Sequence, residues 1–416
     1  MGKTVIEKIL AAHSDEHVEA GKEVWIRIDV RSARDFAGAS VVNNYRKAFG
    51  DQSVDDPAQT FFTFDCNAPA NTIRYAQNQQ VCRVFAGKHG IRVYDVDSGI
   101  GSHVLMEEGL AVPGATVVGT DSHLNIMGAV GSFGQGMGDV DIAYVFRTGQ
   151  TWFEVPATLR IKVNGIPGPH ATAKDLTLAL VGTLGSRGAL GMAVELMGPG
   201  VEGLDLAGRI TLASMATEMG AIAAFLPPSE EVLAFSRSAS GRDELQYPTA
   251  DPDATYANSM EVDVSELRPK IAAPPRPDNV HDVDELDGEP VNTVFVGSCT
   301  NGRYEDILSV AKILQGKKIS SKVTLRVSPA TRGVWGRLLR EGWLEVLHDA
   351  GAIVSHPACA GCAEGQIGMT GEGEVQLSTG NRNFAGKQGK GPTYLCSPAT
   401  AAASALRGKI TSPERL

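Results

Sequence analysis

The chain has no run of 18 uncharged apolar residues, no basic surplus and few cysteines, and each shortage removes a class of protein. Without such a run, no membrane-spanning helix is expected. The opening, Met1-Gly-Lys-Thr-Val-Ile-Glu-Lys8, is charged and short of apolar length, so it does not read as a secretory signal. Lys and Arg number 38 against 48 Asp and Glu, a net charge of −10, and the pI is near 5.5. That balance argues against a nucleic-acid binder or a protein of anionic membrane surfaces. Six scattered cysteines in 416 residues make no disulfide framework and fit a reducing cytoplasm, the expected location. Repeats of fixed period and low-complexity tracts are also missing.

What is present is an alternation of strand-like and helix-like runs. A chain of 416 residues is long enough for two to four domains, and 47 glycines suggest many close backbone approaches. Val24 to Val30, Thr60 to Phe64, Ile91 to Val96 and Ala115 to Val118 read as buried strands, with a helix over Thr72 to Gly87. A second unit has a strand over Leu159 to Val163 and helices from Ala173 and Leu206. The stretch Ser265 to Pro290 holds five prolines and many charges, and reads as an inter-domain linker. The expected fold class is therefore α/β, with three α/β/α-type units at residues 1–158, 159–288 and 289–416, each a parallel or mixed sheet with covering helices.

On such sheets ligands gather at the carboxyl ends of strands. In the first unit those loops are polar: Asp65-Cys66-Asn67, Gly99-Ile-Gly101-Ser-His103 and Gly119-Thr-Asp121-Ser122-His123. The glycine series from Gly128 to Gly138 matches neither a P-loop nor a dinucleotide fingerprint, and reads as backbone packed closely against a buried site.

Three cysteines in the third unit carry the chemistry. Cys299 lies in Gly297-Ser-Cys-Thr-Asn301-Gly302, between a strand-like run (Val291 to Val296) and an amphipathic helix (Tyr304 to Gln315). Cys359-Ala-Gly-Cys362 follows a second strand-like run, Ala352 to Ser355. Three thiolates on two strand-end loops can hold a cubane iron–sulfur cluster by three corners, leaving the fourth iron open as a Lewis acid. A zinc corner completed by His356 is the alternative on spacing. A thioredoxin-like pair would need a helix starting at the first cysteine, which the sequence does not supply. Cys82 and Cys396 read as small buried hydrophobes.

Further on come Ser378-Thr-Gly-Asn381-Arg382-Asn383-Phe384-Ala-Gly386-Lys387-Gln-Gly389 and Ser397-Pro398-Ala399-Thr400. With Gly-Ser-Cys-Thr-Asn, Cys-x-x-Cys, Gly119-Thr-Asp121-Ser122-His123, Val194-Glu195 and Gly198-Pro199-Gly200, this ordered set resembles the aconitase superfamily over essentially the whole chain. It is most similar to the large subunits of 3-isopropylmalate dehydratase and homoaconitase. The resemblance implies an aconitase-like fold around a central cluster cleft, and a hydro-lyase or isomerase acting on a small hydroxy di- or tricarboxylic acid. By it, Cys299, Cys359 and Cys362 would ligate a 4Fe–4S cluster with one open iron. Asn301 would lie beside the cluster, and Glu195 would hydrogen-bond the iron-bound water or hydroxyl. Asp121, His123 and His103 would orient the leaving group, with Asp65, Cys66 and Ser122 nearby. Arg382 would bind a substrate carboxylate, with Arg34 and Lys387 also facing substrate.

Two positions depart from the family. The aspartate at Asp65 is usually followed by a catalytic histidine, here Cys66, and a neutral thiol is a weak donor that cannot replace imidazole unchanged. Arg34 stands where the family has asparagine, glutamine or histidine. Lys387, in place of a frequent arginine, is a milder change that loses a bidentate contact. The swivelling fourth domain of fused relatives is not found in this chain, so the resemblance implies a separate small swivel-domain subunit that supplies the base. Isopropylmalate-type acids are the first expectation; homoaconitate, citraconate or 2-methylmalate and 2,3-dimethylmalate are alternatives. A repurposed binding subunit and an RNA-binding relative are the competing classes.

Overall fold

The computed structural model describes residues 2–361 and 366–416, and among these the strands form four sheets. β1 (Glu23–Arg27) pairs antiparallel with a later strand in a two-stranded ribbon. β2 (Val30–Arg34), β3 (Thr60–Thr63), β4 (Arg92–Tyr94), β5 (Thr116–Gly119) and β6 (Phe133–Gly136) make a parallel sheet in the order β4-β3-β2-β5-β6. β7 (Gln150–Glu154) is the partner of β1. The single strand expected over Val24 to Val30 is thus two. β1 alternates exposed and buried residues, as a ribbon with one wet face must, whereas β2 is almost wholly buried.

β8 (Thr158–Asn164), β9 (Ala193–Met197), β10 (Ala223–Phe225) and β11 (Asn258–Asp263) form a second parallel sheet, ordered β10-β9-β8-β11. The third sheet has seven strands: β12 (Lys270–Ala272), β13 (Val280–Asp282), β14 (Thr293–Val296), β15 (Thr324–Val327), β16 (Ile353–Val354), β17 (Gln376–Ser378) and β18 (Thr393–Cys396). Their order is β13-β12-β18-β17-β14-β15-β16, parallel except that β12 runs against both its neighbours.

The proline-rich stretch is therefore not a free tether. Its Lys270-Ile-Ala272 is a strand in which Ile271 and Ala272 are buried and paired with Cys396 and Leu395. The central strands Thr60–Thr63, Thr116–Gly119 and Thr293–Val296 are buried at every position, as expected of parallel strands covered by helices on both faces. The helix Ile73–His89 begins where Thr72 accepts a hydrogen bond from the Tyr75 amide and ends at Gly90 in the left-handed region. Cys82 and Cys396 are fully buried in apolar surroundings. Among the described residues no helix is long and apolar enough to cross a membrane.

Because the strands are parallel, the loops after β2, β3, β5, β14, β16 and β17 leave their sheets at carboxyl edges. The first and third sheets meet at these edges. The Ile100 amide donates to the Ala330 carbonyl at 2.7 Å, and the Cys359 amide to the Asp65 carbonyl at 3.0 Å.

Candidate active site

The site begins with a turn that only glycine can start. After β14, Gly297 has φ of 147°, and a Cβ there would lie 2.6 Å from the Ser328 carbonyl oxygen. Ser298 follows with φ of 74°, a conformation costly for a residue with a Cβ. Thr379, just past β17, holds the turn: its Oγ1 accepts from the Gly297 amide at 2.9 Å and donates to the Gly297 carbonyl at 3.1 Å. The turn delivers Cys299 into the interior, with Sγ 3.5 Å from Asn381 Oδ1 and 3.8 Å from Ser214 Oγ. Cys359 follows β16 and is also buried. Cys362 lies outside the described residues. The zinc alternative loses support, since His356 turns its Nε2 to the Val96 carbonyl.

Opposite these thiols stand the first-sheet loops. His103 is fully buried and donates through Nε2 to the Cys299 carbonyl at 2.9 Å, which fixes its tautomer. Its Nδ1 is buried and has no hydrogen-bond partner among the described residues. Burial, with the Arg303 charge adding, pushes the imidazole down to about 3, so it is neutral at ordinary pH. Asp65 Oδ2 accepts from the Gly101 amide at 2.7 Å, and Oδ1 from Arg34 Nε at 2.7 Å. Burial raises this carboxyl to about 7; Arg34 opposes the shift, and the charges of Cys359, Asp35 and Asp121 reinforce it. Arg34 Nη1 reaches Asp121 Oδ1 at 3.1 Å. Burial disfavours the guanidinium's charge, but Asp121 and Asp65 outweigh that and keep it protonated.

Cys66 is buried, its thiol 3.5 Å from Asp65 Oδ1, and burial pushes it well above the ordinary thiol range. The loop is held by Asp35, whose carboxylate accepts from the amides of Asp65, Cys66 and Asn67 and from Gln79 Nε2. Gly136 of β6 packs behind Asp121: a Cβ there would lie 2.2 Å from the Asp121 carbonyl oxygen, which accounts for part of the glycine series.

A third group faces the same space. His123 Nε2 and Arg382 Nε both donate to Glu218 Oε1, each at 2.8 Å. The His123 amide is bonded to Asp121 Oδ1 at 3.0 Å, and Ser122 Oγ lies 3.4 Å from His123 Nδ1 and from Arg382 Nη1. Burial alone would raise Glu218, yet His123 and Arg382 pull it below the usual carboxylate range.

Arg34, Cys66, Ser122, His123, Cys359, Arg382 and Lys387 all line one cavity of about 740 Å³, with Arg74 and Tyr75 from the helix Ile73–His89 at its side. Cys66 thus lies on the wall of the cavity that Cys359 and Arg382 also line.

Two expected residues are placed elsewhere. Glu195, on β9, accepts through Oε1 from the Val5 amide at 2.8 Å, at the start of the N-terminal helix Val5–Ala12, and through Oε2 from Tyr256 Oη at 2.9 Å, so both its oxygens are engaged. The glutamate that meets His123 is Glu218, at the end of the helical run after Leu206. Its signal in the sequence was an acid inside the otherwise apolar Met215-Ala-Thr-Glu218-Met219. Asn301 turns its amide away from the cavity, donating to Thr211 Oγ1 at 3.1 Å and Asp306 Oδ1 at 3.0 Å. It lines a separate cavity of about 340 Å³.

Lys174 was also missed. It is buried, and its Nζ donates to the carbonyls of Thr379 at 3.0 Å and Gly380 at 2.8 Å, so it holds the loop that carries Asn381 and Arg382. Burial lowers it to about 8.

The donor set fits a cluster bound through thiolates. The buried Cys299 and Cys359 follow β14 and β16, the two parallel neighbours of β15, and carboxylates, imidazoles and guanidinium groups gather about the cavity that Cys359 lines.

Comparison with known proteins agrees with this geometry. The model of the aconitase family (aconitate hydratase) matches residues 7–290 and 284–408. A probable 3-isopropylmalate dehydratase large subunit of Methanothermobacter thermautotrophicus is 45% identical over 420 residues, covering 100% of both chains. A probable methanogen homoaconitase large subunit of the same organism is 39% identical, covering 98% of this chain and 97% of its own. The crystal structure of aconitase X from Thermococcus kodakaraensis, 13% identical, superposes with a TM-score of 0.53 over 90% of this chain and 87% of that one.

Proposed function

The chain belongs to the aconitase family, and from that premise we propose that it is the large, cluster-bearing subunit of a hydro-lyase that dehydrates and rehydrates a small hydroxy-dicarboxylic acid of the 3-isopropylmalate type. The observation that carries the reading is the cavity in which Cys359, the Asp65–Arg34–Asp121 chain and the His123–Glu218–Arg382 group converge. Its three units would correspond to residues 1–158, 159–288 and 289–416, with β12 and β13 joined to the last.

Cys299, Cys359 and Cys362 would hold the 4Fe–4S cluster, which when bound supplies Lewis-acid polarisation of the substrate's hydroxyl and carboxylate. The remaining work falls to the chain's own side chains. Arg382, held by Glu218, presents Nη1 beside Ser122 for a substrate carboxylate, with Lys387 on the same wall. His123, oriented by Glu218, can give a proton to the departing oxygen, a contribution of roughly 10²–10⁴ in rate. His103 is neutral and donates to the Cys299 carbonyl, so its part is to brace the cysteine turn and offer Nδ1 as an acceptor.

The base that takes the carbon-bound proton would come from a small swivel-domain partner closing over the cavity. Cytoplasmic thiol-reducing conditions would keep the ligands available. Homoaconitate, citraconate or 2-methylmalate and 2,3-dimethylmalate belong to the same chemical class.

The test is anaerobic reconstitution of the chain with iron and sulfide together with its small subunit, followed by ultraviolet detection of the unsaturated product from each acid. Turnover of at least one acid by the pair, and by neither subunit alone, is expected. A cluster-loaded pair inert toward the whole panel would refute the proposal.

A further inference from the structure

Arg34 is the one guanidinium in the cavity wall that bridges two buried carboxylates and still has a donor to give. Its Nε is bonded to Asp65 Oδ1 at 2.7 Å and its Nη1 to Asp121 Oδ1 at 3.1 Å. Nη2 is buried and has no hydrogen-bond partner among the described residues, and the same is true of Asp121 Oδ2. Because Nη1 and Oδ1 are in contact, the two unpartnered atoms belong to groups already paired with each other. One can only donate and the other, as carboxylate, can only accept.

The charge of the trio selects what can fill this gap. One guanidinium between two carboxylates carries a surplus of one negative charge, and with Asp65 protonated the trio is neutral. Neither state attracts a further carboxylate. A neutral hydroxyl has the complementary chemistry for both, an oxygen that accepts from a donor such as Nη2 and a hydrogen that goes to an acceptor such as Oδ2. Buried polar atoms left unpaired are costly, so the pair suits such a group.

Resting on the hydro-lyase reading, we propose that Arg34 is a catalytic residue which, with Asp121, holds the substrate's leaving hydroxyl and stabilises the charge on its oxygen as the C–O bond breaks. The C–O electron pair leaves with the oxygen. The proton from the neighbouring carbon goes to the partner subunit's base, and His123 gives the proton that completes water. Arg34 stays protonated throughout, since it is a fixed positive charge and not a proton donor. Cys66 has a part in this: its thiol shares Asp65 Oδ1 with Arg34 Nε at 3.5 Å, a smaller neighbour than an imidazole would be.

The discriminating variants are Arg34→Lys and Arg34→Gln in the assembled two-subunit holoenzyme. Loss of a preorganised donor at a developing oxyanion should lower kcat by about 10²–10³ while KM moves less than about threefold. Cluster absorbance of Arg34→Lys should stay at the wild-type value, while its thermal midpoint falls, because one ammonium cannot bridge both carboxylates as the guanidinium does. Binding is measured beside turnover with 3-isopropylmalate and with isopropylsuccinate, the same diacid without its hydroxyl. Arg34→Lys should weaken the first by no more than that threefold and leave the second unchanged.

A raised KM with kcat retained, or weakened isopropylsuccinate binding, would show Arg34 to be a carboxylate receptor and overturn the proposal. So would a wild type that binds the two acids equally. If no acid is turned over at all, the hydro-lyase reading fails by itself, and the pair of binding constants still decides the role of Arg34.

Discussion

Glu218→Gln should cost activity where Glu195→Gln should not. Glu218 Oε1 receives both the His123 ring and the Arg382 guanidinium at 2.8 Å, in a nearly buried position. Glutamine keeps the size and one accepting oxygen but loses the charge that both donors are paired with. Charge-assisted hydrogen bonds contribute about 1.5–3 kcal/mol each, and removing one partner of a buried pair costs about 3–5 kcal/mol. A stability loss on the order of 3 kcal/mol near neutral pH is therefore expected.

The pH dependence has a definite sign. The folded-state value of Glu218 lies below the ordinary 4.5, so its stabilisation is complete above that pH and is lost as pH falls through the folded value. The stability gap between wild type and variant should close on acidification below about 4.5. With His123 unoriented, kcat should fall by about 10²–10⁴. Glu195 instead caps the N-terminal helix, so its glutamine variant should lose about 1 kcal/mol and keep kcat within about threefold. The assays are turnover of the reconstituted pair and denaturant unfolding of the anaerobic chain from pH 4 to pH 8. The larger kcat loss in Glu195→Gln, or a Glu218→Gln enzyme within about threefold of wild type, would refute the assignment.

Lys174→Met should remove a pH-dependent component of stability. The folded value, lowered to about 8, means that wild-type stability from this group rises between about pH 8 and 10.5, by about 3 kcal/mol in total. A wild-type-minus-variant difference that is flat over that range in urea unfolding would sink the idea. Cys299→Ser should abolish the roughly four irons per chain taken up anaerobically, whereas Cys396→Ser, at a residue that does not line the cavity, should leave iron content unchanged. Asp35→Asn should loosen the loop it holds by four hydrogen bonds, with a loss of about 2–4 kcal/mol. Amide exchange at Cys66 and Asn67 should accelerate in that variant, and unchanged protection there would contradict the role given to Asp35.

Strand-end chemistry was legible in the sequence because parallel sheets put every carboxyl end on one edge. Once Thr60 to Phe64 and Ala115 to Val118 read as buried strands, Asp65, Cys66, Asp121 and His123 had to share a neighbourhood. The two glutamates were not separable in this way. Both lie in apolar runs, and what distinguishes them is the company of residues distant in sequence: Val5 and Tyr256 for Glu195, His123 and Arg382 for Glu218. The partners of the Asn301 amide nitrogen, Thr211 and Asp306, were illegible for a related reason, since adjacency to Cys299 in sequence says nothing about which side of a short helical turn a side chain faces. The stretch around β12 defeated composition. Pro269, Pro274, Pro275 and Pro277 argue for a tether, but three of the four residues between the first two form a strand, and two of them pair with a buried neighbour.

That pairing bears on how the cysteine-bearing part of the chain can be taken apart. β12 covers the flank of β18, the Lys270 amide is held by Asp175 Oδ1 of the second unit at 2.7 Å, and the Ala272 carbonyl accepts from Asn383, the neighbour of Arg382. A fragment beginning at residue 289 would carry every cysteine ligand and still lack this strand. Its β18 would present bare amides and carbonyls to solvent, an invitation to strand-to-strand aggregation. The loop bearing Arg382 would lose one of its anchors. A self-standing cluster module has to be cut before Pro269, and even then it parts from the aspartate that fixes its first strand.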